Sequence, residues 1–89
     1  TLVAESERLF SDILSRKRES YLLVAKLASL ADDKEKQDQV LRILEVLAGQ
    51  EILQTGAQRI LENLVEARNM WKANVSFQNV MDYLVLQKY

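Results

Sequence analysis

This chain holds almost nothing that breaks the interior of a helix. Its 89 residues contain no proline and only two glycines, Gly49 and Gly56. Proline breaks helix interiors and glycine weakens them. Their scarcity, among so much Leu, Ala, Glu, Gln, Lys and Arg, predicts helix almost throughout. Val and Ile fall mostly where helical spacing would bury them. With 48% hydrophobic and 28% charged residues, the chain has apolar surface to offset the entropy of ordering, so it reads as one globular domain with a modest core.

Five segments carry the helical pattern. In the first, about Leu2 to Ser15, Leu9, Phe10, Ile13 and Leu14 share a face, and Glu5, Glu7, Arg8 and Asp12 fill the other side. Arg16, Lys17 and Arg18 follow as a short basic run, suited to the negative end of the helix dipole. The second segment, about Glu19 to Ala31, is apolar at Tyr21, Leu22, Leu23, Val24, Leu27, Ala28, Leu30 and Ala31. A helix greasy over so much of its circumference is expected to be central or to face two neighbours. Asp32 and Asp33 end it, and either can cap the third, about Lys34 to Ala48, whose stripe is Val40, Ile43, Leu44 and Leu47. Gly49 is the expected stop.

The fourth segment is read from about Ile52 to Ala73, with a break allowed near Thr55-Gly56; Ala57, Ile60, Leu61, Leu64, Val65, Arg68 and Trp71 lie near one stripe. Ser76 is a natural N-cap for the fifth, about Phe77 to Gln87, with Phe77, Val80, Met81, Leu84 and Val85 inward. The fold class expected is therefore all-α, a compact five-helix bundle-like domain ending in a helical hairpin around Asn74-Val75-Ser76.

Chemistry is scarce. There is no histidine and no cysteine, which removes imidazole bases, thiolate nucleophiles, disulfides and most transition-metal sites. Glu62 and Glu66 are spaced i, i+4, but the Glu-x-x-His partners of a carboxylate bundle site are missing, so they read as a solvated face. Asp32, Asp33, Glu35 and Asp38 lack the glycine and terminal glutamate spacing of a calcium loop and read as a capping loop. No glycine-rich phosphate loop exists. No catalytic, cofactor-binding or metal-binding residue is assigned, and no small-molecule ligand is expected.

With 12 basic and 13 acidic residues the net charge is −1. A duplex binder typically spends about six to ten cations on phosphates, so direct nucleic-acid binding is not expected. No apolar run approaches the ~20 residues of a membrane span. A cysteine-free chain fits a reducing cytoplasm. The pattern is already running at Thr1, which suggests a piece of a longer protein. Trp71 and Tyr83 are the informative aromatics, each either core packing or an interface anchor. Leu64, Arg68, Trp71 and Tyr83 are the interface candidates; Asn74 and Ser76 are the turn and cap.

The stretch Ala57 to Leu86, and above all Trp71-Lys72-Ala73-Asn74-Val75-Ser76-Phe77-Gln78-Asn79 followed by Asp82, Leu84, Val85 and Leu86, resembles the end of clamp-loader subunits of bacterial DNA polymerase III, members of the AAA+ class. These close with a helix, a short Asn-Val-Asn-like turn, and a last helix with an acidic residue before aliphatics. Ser76 stands where a second Asn is common and Asn79 where a Leu is common. Leu27 to Leu47, with Asp32-Asp33 between helices, is more loosely similar. The resemblance implies a collar domain: in that family the C-terminal domains of the subunits pack side by side into a ring. The ring holds together the ATPase modules that load the sliding clamp in DNA replication, so the partners implied are the other clamp-loader subunits. The family's ATP-site residues, zinc module and arginine finger lie in N-terminal domains, and none is in this chain. A stand-alone helical adaptor that binds peptides or self-associates, and a small helical DNA-binding domain, are the other classes the composition admits.

Overall fold

The computed structural model describes residues 1–15, 20–53 and 56–87. Among them are five helices: α1 (Leu2–Leu14), α2 (Ser20–Leu30), α3 (Lys34–Gln50), α4 (Ala57–Lys72) and α5 (Phe77–Leu86). The basic run Arg16-Lys17-Arg18, Thr55 and the side chain of Tyr21 lie outside the described residues. The all-α class holds. The radius of gyration, 11.5 Å, is close to the roughly 12 Å expected of a folded unit of this length.

The main packing contacts close a ring. α1 packs on α2 and α3, α3 on α4, α4 on α5, and α5 back on α2. Each helix therefore has two principal neighbours, and all five share one core. Of the two arrangements expected for so greasy a helix, α2 takes the second: it faces two neighbours, α1 and α5. Its Leu23, Val24, Leu27 and Ala31 are buried, while Leu22 and Leu30 face solvent. Two neighbours cannot cover so wide an apolar surface.

Local signals set most boundaries. Asp33 caps α3, accepting from the Lys36 N–H at 2.8 Å, while Asp32 pairs with the Lys36 ammonium at 2.9 Å. The α4–α5 hairpin rests on Asn74, whose φ of 70° is left-handed. There the Val75 N–H donates to the Met70 carbonyl at 3.0 Å and the Asn74 N–H to that of Trp71 at 3.1 Å. This is a Schellman turn, with Asn in the place glycine usually takes because its side chain tolerates that conformation. Val75 and Met70, the apolar pair that accompanies such turns, both pack against the core. Ser76 then caps α5 by accepting from the Asn79 N–H at 3.3 Å.

Three sequence readings change. α3 runs through Gly49 to Gln50, and residues 51–53 form a turn, so Gly49 is no stop and Ile52 does not begin α4. The glycine that breaks the chain is Gly56, at φ 98°, immediately before α4. In α3 the fully buried residues are Val40, Leu41, Leu44 and Ala48, with Ile43 and Leu47 half-buried toward α1: the stripe is rotated from the one read in the sequence. Glu5 is buried at 8% exposure instead of facing water. Position 5 lies one turn before Leu9 and faces α2, where Glu5 accepts from the Lys26 ammonium at 3.0 Å; Arg8 lies 3.8 Å from its other oxygen. The Lys26 hydrogen bond outweighs burial and holds the Glu5 carboxyl below its ordinary pKa.

The two glycines should respond oppositely to alanine. A Cβ on Gly49 meets nothing within 4 Å, and its backbone is helical, so Gly49→Ala should stabilise by about 0.5–1 kcal/mol. Gly56→Ala forces a left-handed alanine and should cost about 1–2 kcal/mol. Urea unfolding monitored by circular dichroism measures both.

Candidate interaction surface

The four interface candidates separate on the structure. Leu64 is 1% exposed and belongs to the core with Ile60 and Ala67, so it offers nothing to a partner of the folded domain. Tyr83 is half-buried on α5, packed against the core. Arg68 and Trp71 are brought together on one side of α4, against the polar flank of α3. Val65, placed in the same stripe by the sequence, instead faces solvent, because the inward row of α4 is Ala57, Ile60, Leu64 and Ala67. Glu62, Glu66 and Arg59 lie on the exposed side.

The α3–α4 flank is a polar seam. Arg68 Nη1 donates to Asp38 Oδ1 at 2.6 Å, and its Nε donates to Glu45 Oε1 at 3.0 Å, with Nη2 on that same oxygen. Asp38 also holds Arg42, one turn on in its own helix, at 2.7 Å. One turn from Arg68, Trp71 Nε1 donates to Gln37 Oε1 at 2.9 Å, and the Lys34 ammonium stands 4.8 Å from the centre of the indole ring. The seam lets a half-buried arginine and tryptophan satisfy their donors within the domain.

Its electrostatics follow. The Arg68 hydrogen bond holds the Asp38 carboxyl below the usual range, against a smaller effect of burial. For Arg68, desolvation would lower its pKa, but the hydrogen bonds to Asp38 and Glu45 together raise it, so it stays charged. The seam is a clasp between two helices. Among the described residues no group of three or more acidic, histidine or cysteine side chains could hold a metal, and no described helix is long and apolar enough to cross a membrane.

Among the described residues, a surface with binding character lies between α1 and α3. A groove of about 290 Å³ opens there, floored by Ile43 and Leu47, with Val3 and Glu7 on the α1 bank and Arg42, Val46 and Gln50 on the α3 bank. Val3 and Val46 are 53% and 57% exposed. Just beyond α3, Leu53 is 98% exposed. None of Val3, Val46 and Leu53 was singled out by sequence reasoning. Their signal was weak: a lone Val three residues after Ile43 sits one step off the core stripe, and only the packing of α1 decides that it stays uncovered.

Compared with known proteins, the chain matches no family model, no curated protein and no solved structure.

Removing the clasp should be measurable. Arg68→Gln leaves Asp38 and Glu45 without their shared cation and should cost about 1–2 kcal/mol at neutral pH. The sign with pH is fixed by the depressed Asp38 pKa. Its contribution is full above the ordinary carboxyl value of 3.8 and is lost as pH falls through the lower folded value. The gap between wild type and Arg68→Gln should therefore shrink on acidification below pH 4, as followed by thermal melts across pH.

Proposed function

We propose that this domain works by oligomerisation, as the collar domain of a clamp-loader subunit, and that it carries no catalysis of its own. The observation that carries the reading is surplus grease: Val3, Leu22, Val46, Leu53, Val65 and Leu86 stand in solvent around a core that is already closed. Scattered exposed apolar residues are ordinary on a monomer; a groove with an apolar floor and a polar rim is the kind of patch that marks a protein–protein site. The assignment to a clamp loader draws its support from the likeness of Ala57 to Leu86, whose form looks like that of the delta-prime subunit. The residues that carry that likeness do physical work here: Asn74 takes the left-handed turn, Ser76 caps α5, and Leu84 packs in the core. In this reading the partners are the other clamp-loader subunits, met in the cytoplasm during DNA replication.

One observation favours a second reading, a helical adaptor: the α1/α3 groove is apolar inside and charged at its rim, which is how a groove receives an amphipathic helix. A DNA-binding role gains no such support. Lys26, Lys36 and Arg68 are paired with carboxylates inside the domain, and the balance of charge is acidic.

The test is assembly. The gene that encodes this chain should place an AAA+ module upstream, and the parent protein should co-purify with the remaining clamp-loader subunits as one species by native mass spectrometry. Val65→Glu and Leu86→Glu, both at exposed positions, should change folding stability by no more than about 0.5 kcal/mol. At least one of them should weaken that assembly. A parent without an AAA+ module, or one that stays apart from those subunits, overturns the clamp-loader assignment.

A further inference from the structure

We infer that the α1/α3 groove is a self-association surface, closed by a second copy of this chain about a two-fold axis running along the groove. The inference rests on the oligomerisation reading only for the premise that this exposed apolar face is there to be covered; the choice of occupant comes from the groove itself.

The first argument is charge. Glu7 stands on the α1 bank and Arg42 on the α3 bank of the same groove. A two-fold axis lying along the groove exchanges the banks, setting the α1 bank of one copy over the α3 bank of the other. Glu7 of each copy then lies over the bank that carries the second copy's Arg42, and Val3 over the bank that carries Val46. An isologous interface requires such self-complementarity. Banks of one sign would repel their own copy; these attract. Arg42 is free to turn, since its present bond to Asp38 is a surface pair with the arginine side chain 74% exposed, and such pairs hold weakly. Asp38 keeps Arg68 when Arg42 leaves.

The second argument is Gly49. It lies three residues beyond Val46 and seven beyond Arg42, on the outward side of α3, inside a helix that glycine weakens. Its backbone is not left-handed, and no neighbour within 4 Å would object to a Cβ. Among the described residues nothing requires glycine there. Gly49 stands one turn past Val46, just outside the residues that line the groove, and its missing side chain leaves room for a second backbone at that margin of α3.

The experiment is sedimentation equilibrium on the chain from micromolar to millimolar concentration, with circular dichroism melts to show that each variant stays folded. The expected result is a reversible dimer. Val46→Glu should weaken it roughly tenfold or more, and Gly49→Leu should weaken it as well. Glu7→Arg should weaken it by setting like charges together, and adding Arg42→Glu should restore it by reversing both. A chain that is monomeric throughout overturns self-association while leaving assembly with other subunits to its own test. A dimer indifferent to Val46→Glu, or a double charge reversal that restores nothing, places the contact elsewhere and equally overturns the inference. Failure of the heteromeric assembly with this dimer intact would do the reverse, removing the clamp-loader assignment alone.

Discussion

A ring of five short helices around one core imposes a limit that the rest of the molecule obeys. Each helix touches two principal neighbours and contributes one stripe to the interior. On an α-helix such a stripe covers little more than a quarter of the circumference. Apolar residues outside it have no place to go in a domain of this size, which buries only about 60–65% of its unfolded surface. α2 shows the consequence most plainly. Its sequence is apolar nearly all round, yet Leu22 and Leu30 are left outside while Leu23, Val24 and Leu27 go in. Surplus hydrophobicity is therefore a property of the architecture meeting this composition.

The polar groups are organised to support that ring. Arg68 reaches from α4 to α3 and engages Asp38 and Glu45. Lys26 reaches from α2 to Glu5 on α1. Both are links between ring neighbours, and both pair with carboxylates at the margin of the core, where an unpaired charge would be costly. Charged pairs at such depth give register: they choose which way a helix faces among rotations that the greasy interior would accept almost equally. The cations used for this are withdrawn from any phosphate-binding surface.

The legible parts of the fold were those decided within a few residues. Asp33 and Ser76 were readable as caps, and the α5 stripe Phe77, Val80, Met81 and Leu84 was readable from spacing, because each depends on neighbours inside one turn or one helix. Asn74 was readable as a turn residue for the same reason. What escaped depends on partners far along the chain. Glu5 looks solvated until Lys26, 21 residues away, is folded against it. Helix period alone leaves the flanks of a stripe undecided by a residue or so, hence Leu41 and Ala48 inside where Ile43 and Leu47 were expected deepest. The two glycines carry the same lesson. Gly49 and Gly56 are equally good stops on paper, and the difference is that only the second is held at positive φ. Of the interface candidates, Leu64 was too well placed in its stripe to remain at the surface, and the groove was invisible because it belongs to two helices at once.

α3 brings these strands together. Viewed down its axis it has an inward sector of Val40, Leu41, Leu44 and Ala48, and a flank of Asp38 and Glu45 facing α4. A second flank, Ile43 and Leu47, faces α1, and the outward sector holds Arg42, Val46 and Gly49. Asp38 and Glu45 are seven residues apart, two turns on nearly the same line, and one arginine grips both. That grip opposes rotation of α3 about its axis more strongly than a single contact could. The outward sector is set by what remains once the core and the clasp have fixed the other sides. Which residues α3 turns to solvent is thus settled by the core and by Arg68 together, on sides of the helix away from that outward sector.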